Sequence, residues 1–166
     1  MTVLRRVDVW GGLASAVVLT AVIGCAQSLA QAKPVKLDEF SGYWSGTGMV
    51  TWTNGTTEQL KCVATYRPGG DQLRQNLRCA SQGYSISASI ELKFAGDAVA
   101  GTWEEKTYSA NGAITGKLTD TGFLLSIKGP TFSAVMNVEH TTCRQSIDIE
   151  PIGVDVSRIK IGLGKC

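Results

Sequence analysis

The chain has 166 residues and a formal net charge of +2, and 43% of its residues are hydrophobic. This size suits one domain with a real core. Beyond the adjacent Arg5 and Arg6, basic residues are scattered singly and nearly balanced by acidic ones, so we expect neither a nucleic-acid partner nor an acidic interaction tail.

The N-terminal segment, residues 1–32, has the three parts of a secretory signal. Arg5 and Arg6 form a positive n-region, residues 13–23 form an apolar run, and residues 30–32 give a small-x-small cleavage pattern. The apolar run is too short for a mature transmembrane helix, which needs about 20 residues. We therefore expect a bacterial protein that is periplasmic or secreted, with no transmembrane segment in its mature chain.

Cys25 leaves a second interpretation of this segment open. Residues 22–25 resemble a lipobox, in which Cys25 would be lipidated and would anchor the protein to a membrane. Simple cleavage after Ala32 is favoured because the residues before it form a good conventional site. Residues 33–39 would then be a short tail, and residues 40–166 a single β-barrel domain.

The body of the chain has the pattern of short strands. Residues 84–94 are apolar at every second position and polar between, which is typical of a strand with one buried face. Residues 44–52 repeat this alternation with glycines. Similar runs cover residues 60–66, 99–103, 123–127, 132–138, 147–149 and 159–163. About eight to ten strands with short connections predict an all-β fold, an antiparallel up-and-down β-barrel.

Turn residues separate these runs. Asn54-Gly55 and Asn111-Gly112 are the strongest hairpin signals, because both residue types tolerate positive φ. Gly70-Asp71, Gly96-Asp97 and Gly129-Pro130 mark further turns. Every connection is short, which favours an up-and-down order over a Greek key.

Four cysteines remain in the predicted domain, and an even set behind an export signal indicates two disulfides. Cys62 and Cys79 lie equally far along the chain from the predicted turn between them, so they would face each other across one hairpin. That bridge should contribute about 3 kcal/mol in the chain-entropy model. Cys143 and Cys166 are left for the second bridge. A metal site is not expected, because the chain has no Cys-x-x-Cys spacing.

Candidate catalytic residues are few. His140 is the single histidine, and no serine lies in a Gly-x-Ser-x-Gly elbow, so an enzyme is the least favoured class. Glu105 shares a predicted strand face with Trp103. If that face points inward, Glu105 would be a polar group in an apolar cavity, where it orients a ligand or acts as an acid. The alternative is a charge at a strand end near the barrel mouth.

Aromatic side chains on the predicted inner faces are the main functional lead. They either fill the core or line a ligand pocket. Strand number decides between the two, because a barrel of about eight strands is just filled, whereas a larger one leaves room. Together with Glu105, the residues predicted to contact a ligand are Trp44, Trp52, Tyr66, Tyr84, Trp103 and Phe123.

The predicted opening strand contains Gly42, Trp44, Gly46 and Gly48 at every second position, and this run resembles the opening strand of calycin-type barrels. Gly42-Tyr43-Trp44 is similar to the Gly-x-Trp element of lipocalins, and with Gly46 and Gly48 it resembles the Gly-x-Trp-x-Gly-x-Gly run of nitrobindin-like haem barrels. The Gly-Thr-Trp run at 101–103 is similar to a strand of avidins. The body as a whole resembles a family of small exported proteins without an assigned activity from bacteria related to rhizobia.

This resemblance implies a ligand-binding barrel, and haem is the most specific ligand that it implies. His140 would then be the axial ligand, provided that the alternation of Met136 and Val138 continues unbroken. We expect a monomeric barrel, without a cofactor, that binds a small apolar ligand. The alternatives are a structural or protein-interaction module of the cell envelope with a filled core, and a haem-binding barrel.

Overall fold

The computed structural model describes residues 36–166, which form a short 3₁₀ turn and a closed barrel of ten antiparallel strands. Consecutive strands pair with each other, and β1 pairs with β10 to close the barrel. The 3₁₀ turn covers Leu37–Phe40. The strands are β1 (Gly42–Trp52), β2 (Thr57–Gly69), β3 (Gln72–Ala80), β4 (Ser85–Ala95), β5 (Ala98–Glu105), β6 (Ala110–Leu118), β7 (Gly122–Lys128), β8 (Ser133–His140), β9 (Arg144–Ile152) and β10 (Val156–Gly164). The predicted up-and-down barrel is confirmed. No helix within residues 36–166 is long and apolar enough to cross a membrane.

Burial changes along the strand that showed the clearest alternation. On β4, Ile90, Leu92 and Phe94 face the interior and are buried. Ile86 and Ala88 lie on the same inner face but are only half-buried. Successive inward residues on a strand lie about 7 Å apart along its length. The interior is therefore filled near one end of β4 and open near the other.

Both predicted disulfides are present. Cys62 on β2 is the direct cross-strand partner of Cys79 on β3, and the two are bonded. Both side chains face the interior and are 2% exposed. Cys143, in the turn between β8 and β9, is bonded to Cys166, which follows β10 and is exposed. Cys25 and the predicted export signal lie outside the described residues.

Most of the predicted turns are confirmed. Gly55, Gly70 and Gly96 adopt positive φ in the β1–β2, β2–β3 and β4–β5 turns. An L side chain rarely adopts this backbone conformation, so glycine suits each position. The short hairpins place consecutive strands side by side, which is why the barrel closes in chain order.

The predicted Asn111-Gly112 hairpin is wrong. Both residues lie inside β6, and the β5–β6 turn covers residues 106–109. Gly112 serves close packing instead of a turn. A Cβ atom there would lie 1.8 Å from the Lys128 carbonyl oxygen and 2.8 Å from the indole nitrogen of Trp103. A glycine inside a strand often marks such a close approach, which local turn statistics do not separate from a hairpin.

Candidate functional site

The two ends of the barrel differ in how they are filled. The closed end carries the 3₁₀ turn, the start of β1 and the β8–β9 turn. The open end carries the β1–β2, β5–β6, β7–β8 and β9–β10 turns. Large side chains fill the closed end, whereas the open end contains an apolar cavity. The candidate site is this open-end cavity.

Phe40 plugs the closed end. Its side chain is fully buried, and its ring stacks on Phe123 with centroids 4.8 Å apart and on His140 at 4.1 Å. The indole Nε1 of Trp44 donates a hydrogen bond of 2.7 Å to the Phe40 carbonyl. Lys165 Nζ donates to the carbonyl of Glu39 at 2.6 Å. The 3₁₀ turn is thus held to the barrel by packing and by two hydrogen bonds to its main chain.

A chain of buried polar side chains lies behind this plug. Gln75 Nε2 donates to the Tyr66 hydroxyl at 2.8 Å, and that hydroxyl donates to Gln145 Oε1 at 2.6 Å. Burial raises the pKa of Tyr66, although both hydrogen bonds oppose this. Tyr66 therefore stays a neutral phenol, and its hydroxyl has a donor and an acceptor partner. These bonds link β2, β3 and β9 across the interior.

His140 faces inward, as unbroken alternation on β8 requires, and it is buried. Its Nε2 lies 4.0 Å from a Glu39 carboxylate oxygen, and within the described residues neither ring nitrogen has a hydrogen-bond partner. Burial lowers the pKa of His140; Lys165 lowers it further, and Glu39 opposes them. The ring is stacked on Phe40 and does not line the open-end cavity. This packing does not fit haem at His140, and the haem alternative stays a prediction without support from the geometry.

The open-end cavity has a volume of about 590 Å³. This lies within the range of about 300–1,000 Å³ typical of small-molecule sites. Its walls are inward-facing apolar side chains of nine strands, all but β2, and several of these are only half-buried although they lie inside the barrel. They include Ile86, Ala88, Ala110, Ile149 and Val156. Apolar surface that remains reachable inside a barrel is available to an apolar ligand.

Two aromatic pairs stand at the mouth of the cavity. Trp52 and Tyr84 meet edge to face, with ring centroids 6.1 Å apart. Trp103 and Phe132 are tilted at 5.3 Å. Trp103 Nε1 donates to the carbonyl of Lys128 at 3.1 Å, which fixes the indole. The mouth therefore has rigid apolar edges, with the polar indole atom already satisfied.

Glu105 ends β5 at the edge of the cavity and is 5% exposed. One carboxylate oxygen accepts hydrogen bonds from the backbone N–H groups of Ser87 (2.7 Å) and Thr107 (3.0 Å). The other accepts from the N–H of Tyr108 at 2.7 Å. Burial acts to raise the pKa of Glu105, but these bonds outweigh it and the pKa is lowered. Glu105 is thus an ionised group fixed by the β5–β6 turn, which makes it a poor proton donor.

Tyr84 adds a hydroxyl to the same part of the lining. Burial raises its pKa to about 12, and the charges of Tyr108 and Glu105 add to the effect. Tyr84 is therefore neutral at physiological pH and offers a hydroxyl that can donate or accept a hydrogen bond. The polar groups of the cavity cluster at its mouth around Glu105 and Tyr84.

The residues predicted to contact a ligand fall into two groups. Four of them, Trp52, Tyr84, Trp103 and Glu105, line the open-end cavity. The other three, Trp44, Tyr66 and Phe123, pack in the closed end. Contact with a ligand stays a prediction for the first group, and the second group has no surface on this cavity. Lining residues such as Met136 and Ile149 had no sequence signal beyond ordinary strand alternation.

A second depression of about 680 Å³ lies at the closed end. Its lining consists mostly of glycine and polar residues from β1, β8, β9, β10 and the neighbouring turns, His140 among them, and Leu163 is its one aliphatic side chain. This depression is more open to solvent than the open-end cavity and offers less apolar surface to a ligand. The open-end cavity is therefore the better candidate site.

Glu105 makes a prediction about acid stability. A carboxylate whose pKa is lowered on folding stabilises the folded state above its ordinary pKa of 4.5, and this stability is lost as the pH falls through the folded pKa. We expect Glu105→Gln to lower the free energy of unfolding by about 2–3 kcal/mol at pH 7, because charge-assisted hydrogen bonds are lost. The difference between wild type and variant should shrink as the pH falls below 4.5.

Urea unfolding curves recorded from pH 3 to pH 7, in steps of about one pH unit, would measure this difference. Glu91→Gln is the matched control, because Glu91 lies on β4 with its side chain 64% exposed in an ion pair with Arg74. The control should change stability little at any pH. A Glu105→Gln deficit that stays constant from neutral to acid pH would contradict the assignment of an ionised, stabilising carboxylate.

Comparison with known proteins supports the fold. Neither a known protein family nor a curated protein matches the sequence. Solved structures do resemble the chain. The S-type phycobiliprotein lyase CPES from Guillardia theta aligns with a TM-score of 0.59 at 8% identity, over 78% of this chain and 90% of that one. Rv2717c from M. tuberculosis aligns with a TM-score of 0.59 at 10% identity, over 81% of this chain and 99% of that one.

At these identities the likeness shows the fold alone. The closed ten-stranded barrel and its structural neighbours fit the calycin-like barrel that the opening strand resembles. The resemblance to exported proteins of bacteria related to rhizobia stays a prediction.

Proposed function

We propose that this protein is an exported barrel that binds a small apolar ligand in the open-end cavity. The observation that carries the proposal is the half-buried apolar surface inside the barrel, on residues such as Ile86 and Ile149. A barrel whose task is only structural has no need to leave this surface uncovered, since covering it would stabilise the fold by about 25 cal/mol per Å². In a purely structural barrel, we would expect the dense packing of the closed end to continue through the whole interior.

Two features support export. The disulfides favour an oxidising compartment, where such bonds form and persist. The N-terminal residues have the composition of a secretory signal, or of a lipoprotein signal if Cys25 is lipidated. The ligand would then be met in the periplasm, at the cell envelope or outside the cell.

A neutral fluorescent probe, N-phenyl-1-naphthylamine, tests the binding proposal. We expect the wild-type barrel to bind it with a dissociation constant of about 1–10 μM, because the cavity removes apolar surface from water. Ala110→Trp places an indole in the cavity and should weaken binding at least about tenfold. Ala113→Trp is the matched control, because Ala113 lies on the same strand, β6, but is exposed on the outer face.

Thermal melts of both variants would confirm that each still folds. Similar probe affinity for wild type and Ala110→Trp would place the probe elsewhere and contradict the proposal. Solvent extraction of the purified protein followed by mass spectrometry gives an independent measure. A carried apolar molecule supports binding, whereas an empty extract together with no probe binding favours a structural or interaction module.

A further inference from the structure

We propose that the ligand is an amphiphile whose apolar tail enters the cavity first and whose head group is neutral or cationic, so that fatty acids and other anionic lipids are excluded. This inference rests on the proposed function and adds the chemical class of the ligand. It follows from where the charges of the cavity lie, what sign they have and how firmly they are held.

The charged side chains that line the cavity have one sign. Among the described residues that line it, the charged ones are Glu105 and Asp155, both acidic. No lysine, arginine or histidine is part of this lining. A cavity for a carboxylate or phosphate head group usually offers a cation or a set of free N–H donors. The N–H groups of Thr107 and Tyr108 at this edge already bond Glu105, and the Tyr84 hydroxyl is a neutral donor.

The Glu105 carboxylate cannot easily move away or become neutral. Its three backbone N–H donors come from two segments, Ser87 on β4 and the β5–β6 turn at Thr107 and Tyr108. The Thr107 side chain also stabilises the ionised form, so the negative charge stays in place at the edge of the cavity. A hydroxyl or amide group can lie beside this charge and an ammonium group is attracted to it, whereas a second carboxylate is repelled.

The polar and apolar parts of the cavity are arranged along the barrel axis. The mouth has Glu105, the Tyr84 hydroxyl and Asp155, which is exposed at the rim. The inner part is lined by buried aliphatic side chains, among them Leu77 and Ile159. An apolar tail is stable at this inner end, and a head group stays beside the acidic mouth. The arrangement therefore favours one orientation of an amphiphile.

Three ligands that share a twelve-carbon chain and differ in head group test this inference. Each of dodecanol, dodecylamine and dodecanoate would compete with N-phenyl-1-naphthylamine at pH 7.5, below its aggregation concentration. We expect dodecanol and dodecylamine to displace the probe at concentrations similar to each other. Dodecanoate should need a concentration at least about tenfold higher than either. Lowering the pH to protonate dodecanoate should remove most of its disadvantage.

Charge variants assign this selectivity to the mouth. Glu105→Gln should reduce the disadvantage of dodecanoate at least about threefold. Glu104→Gln, which changes the exposed neighbour on the outer face of β5, should leave it unchanged. If Glu105→Gln folds poorly, Asp155→Asn at the rim offers a second variant, for which we expect a smaller reduction in the same direction.

The outcomes separate the two proposals. Dodecanoate that displaces the probe as well as dodecanol would overturn the head-group inference and leave the apolar binding site intact. Failure of wild-type protein to bind the probe or any of the three ligands would count against the proposed function itself. Selectivity that survives in both Glu105→Gln and Asp155→Asn would also overturn the assignment to the acidic mouth.

Discussion

Replacing Phe40 by alanine is expected to lower the free energy of unfolding by about 3–5 kcal/mol, the range for large aromatic side chains in filled cores. Phe40 is fully buried and contacts Phe123 and His140, so its removal leaves a void among rings that cannot close up around it. It would also weaken the attachment of the 3₁₀ turn, which carries this side chain.

Phe132→Ala is the matched control, because Phe132 is half-buried at the mouth of the open-end cavity. Its loss should cost about 1 kcal/mol, since the site is already partly open. Urea unfolding followed by tryptophan fluorescence, with both disulfides intact, would measure both variants. Equal losses for the two substitutions would show that Phe40 is not the plug of the closed end.

The two disulfides should differ in their rates of reduction in the folded protein by more than about 100-fold. Thiol exchange requires access to a sulfur atom. Cys166 is exposed at the closed end, whereas Cys62 and Cys79 are enclosed by the barrel. A thiol reagent can reach the Cys143–Cys166 bridge directly, but it reaches the inner bridge only after the barrel opens.

This prediction is checked by incubating the protein with dithiothreitol without denaturant, alkylating samples at intervals and mapping the modified peptides by mass. Cys143 and Cys166 should be modified first. Addition of urea beyond the unfolding midpoint is the control and should bring the two rates together. Equal rates in native buffer would contradict an enclosed Cys62–Cys79 bridge. Early reduction should also loosen the 3₁₀ turn, because Lys165, next to Cys166, bonds the carbonyl of Glu39.

Strand alternation made the barrel predictable, because a period of two residues identifies an inner face in any strand with one buried side. The same logic placed Cys62 opposite Cys79, since a hairpin turn sets the register of both strands. The hairpin prediction at Gly112 failed for a different reason. Whether a glycine serves a turn or gives room to an indole depends on Trp103, which belongs to the neighbouring strand.

The position of the cavity was not predictable in this way. Alternation places Trp44 and Trp52 on the same inner face of β1, but it does not say at which end the interior is filled. That depends on the 3₁₀ turn, where Phe40 folds back over the barrel. The 3₁₀ turn has only four residues and no repeating pattern, so the sequence carries no signal that it covers one end of the barrel. For the same reason, the sequence could not show that Tyr66 packs in the closed end whereas Trp103 lines the open-end cavity.

The plug at Phe40 also determines by which end of the barrel a molecule can enter and leave the cavity. In the part of the chain that the structure describes, a molecule in the open-end cavity meets a wall of aromatic rings at the far end and must leave through the mouth by which it entered. The cavity is therefore a pocket that opens at one end and not a channel through the barrel. If the barrel binds a ligand as proposed, we therefore expect the aromatic pairs at the mouth, such as Trp52 and Tyr84, to control how long the ligand stays bound.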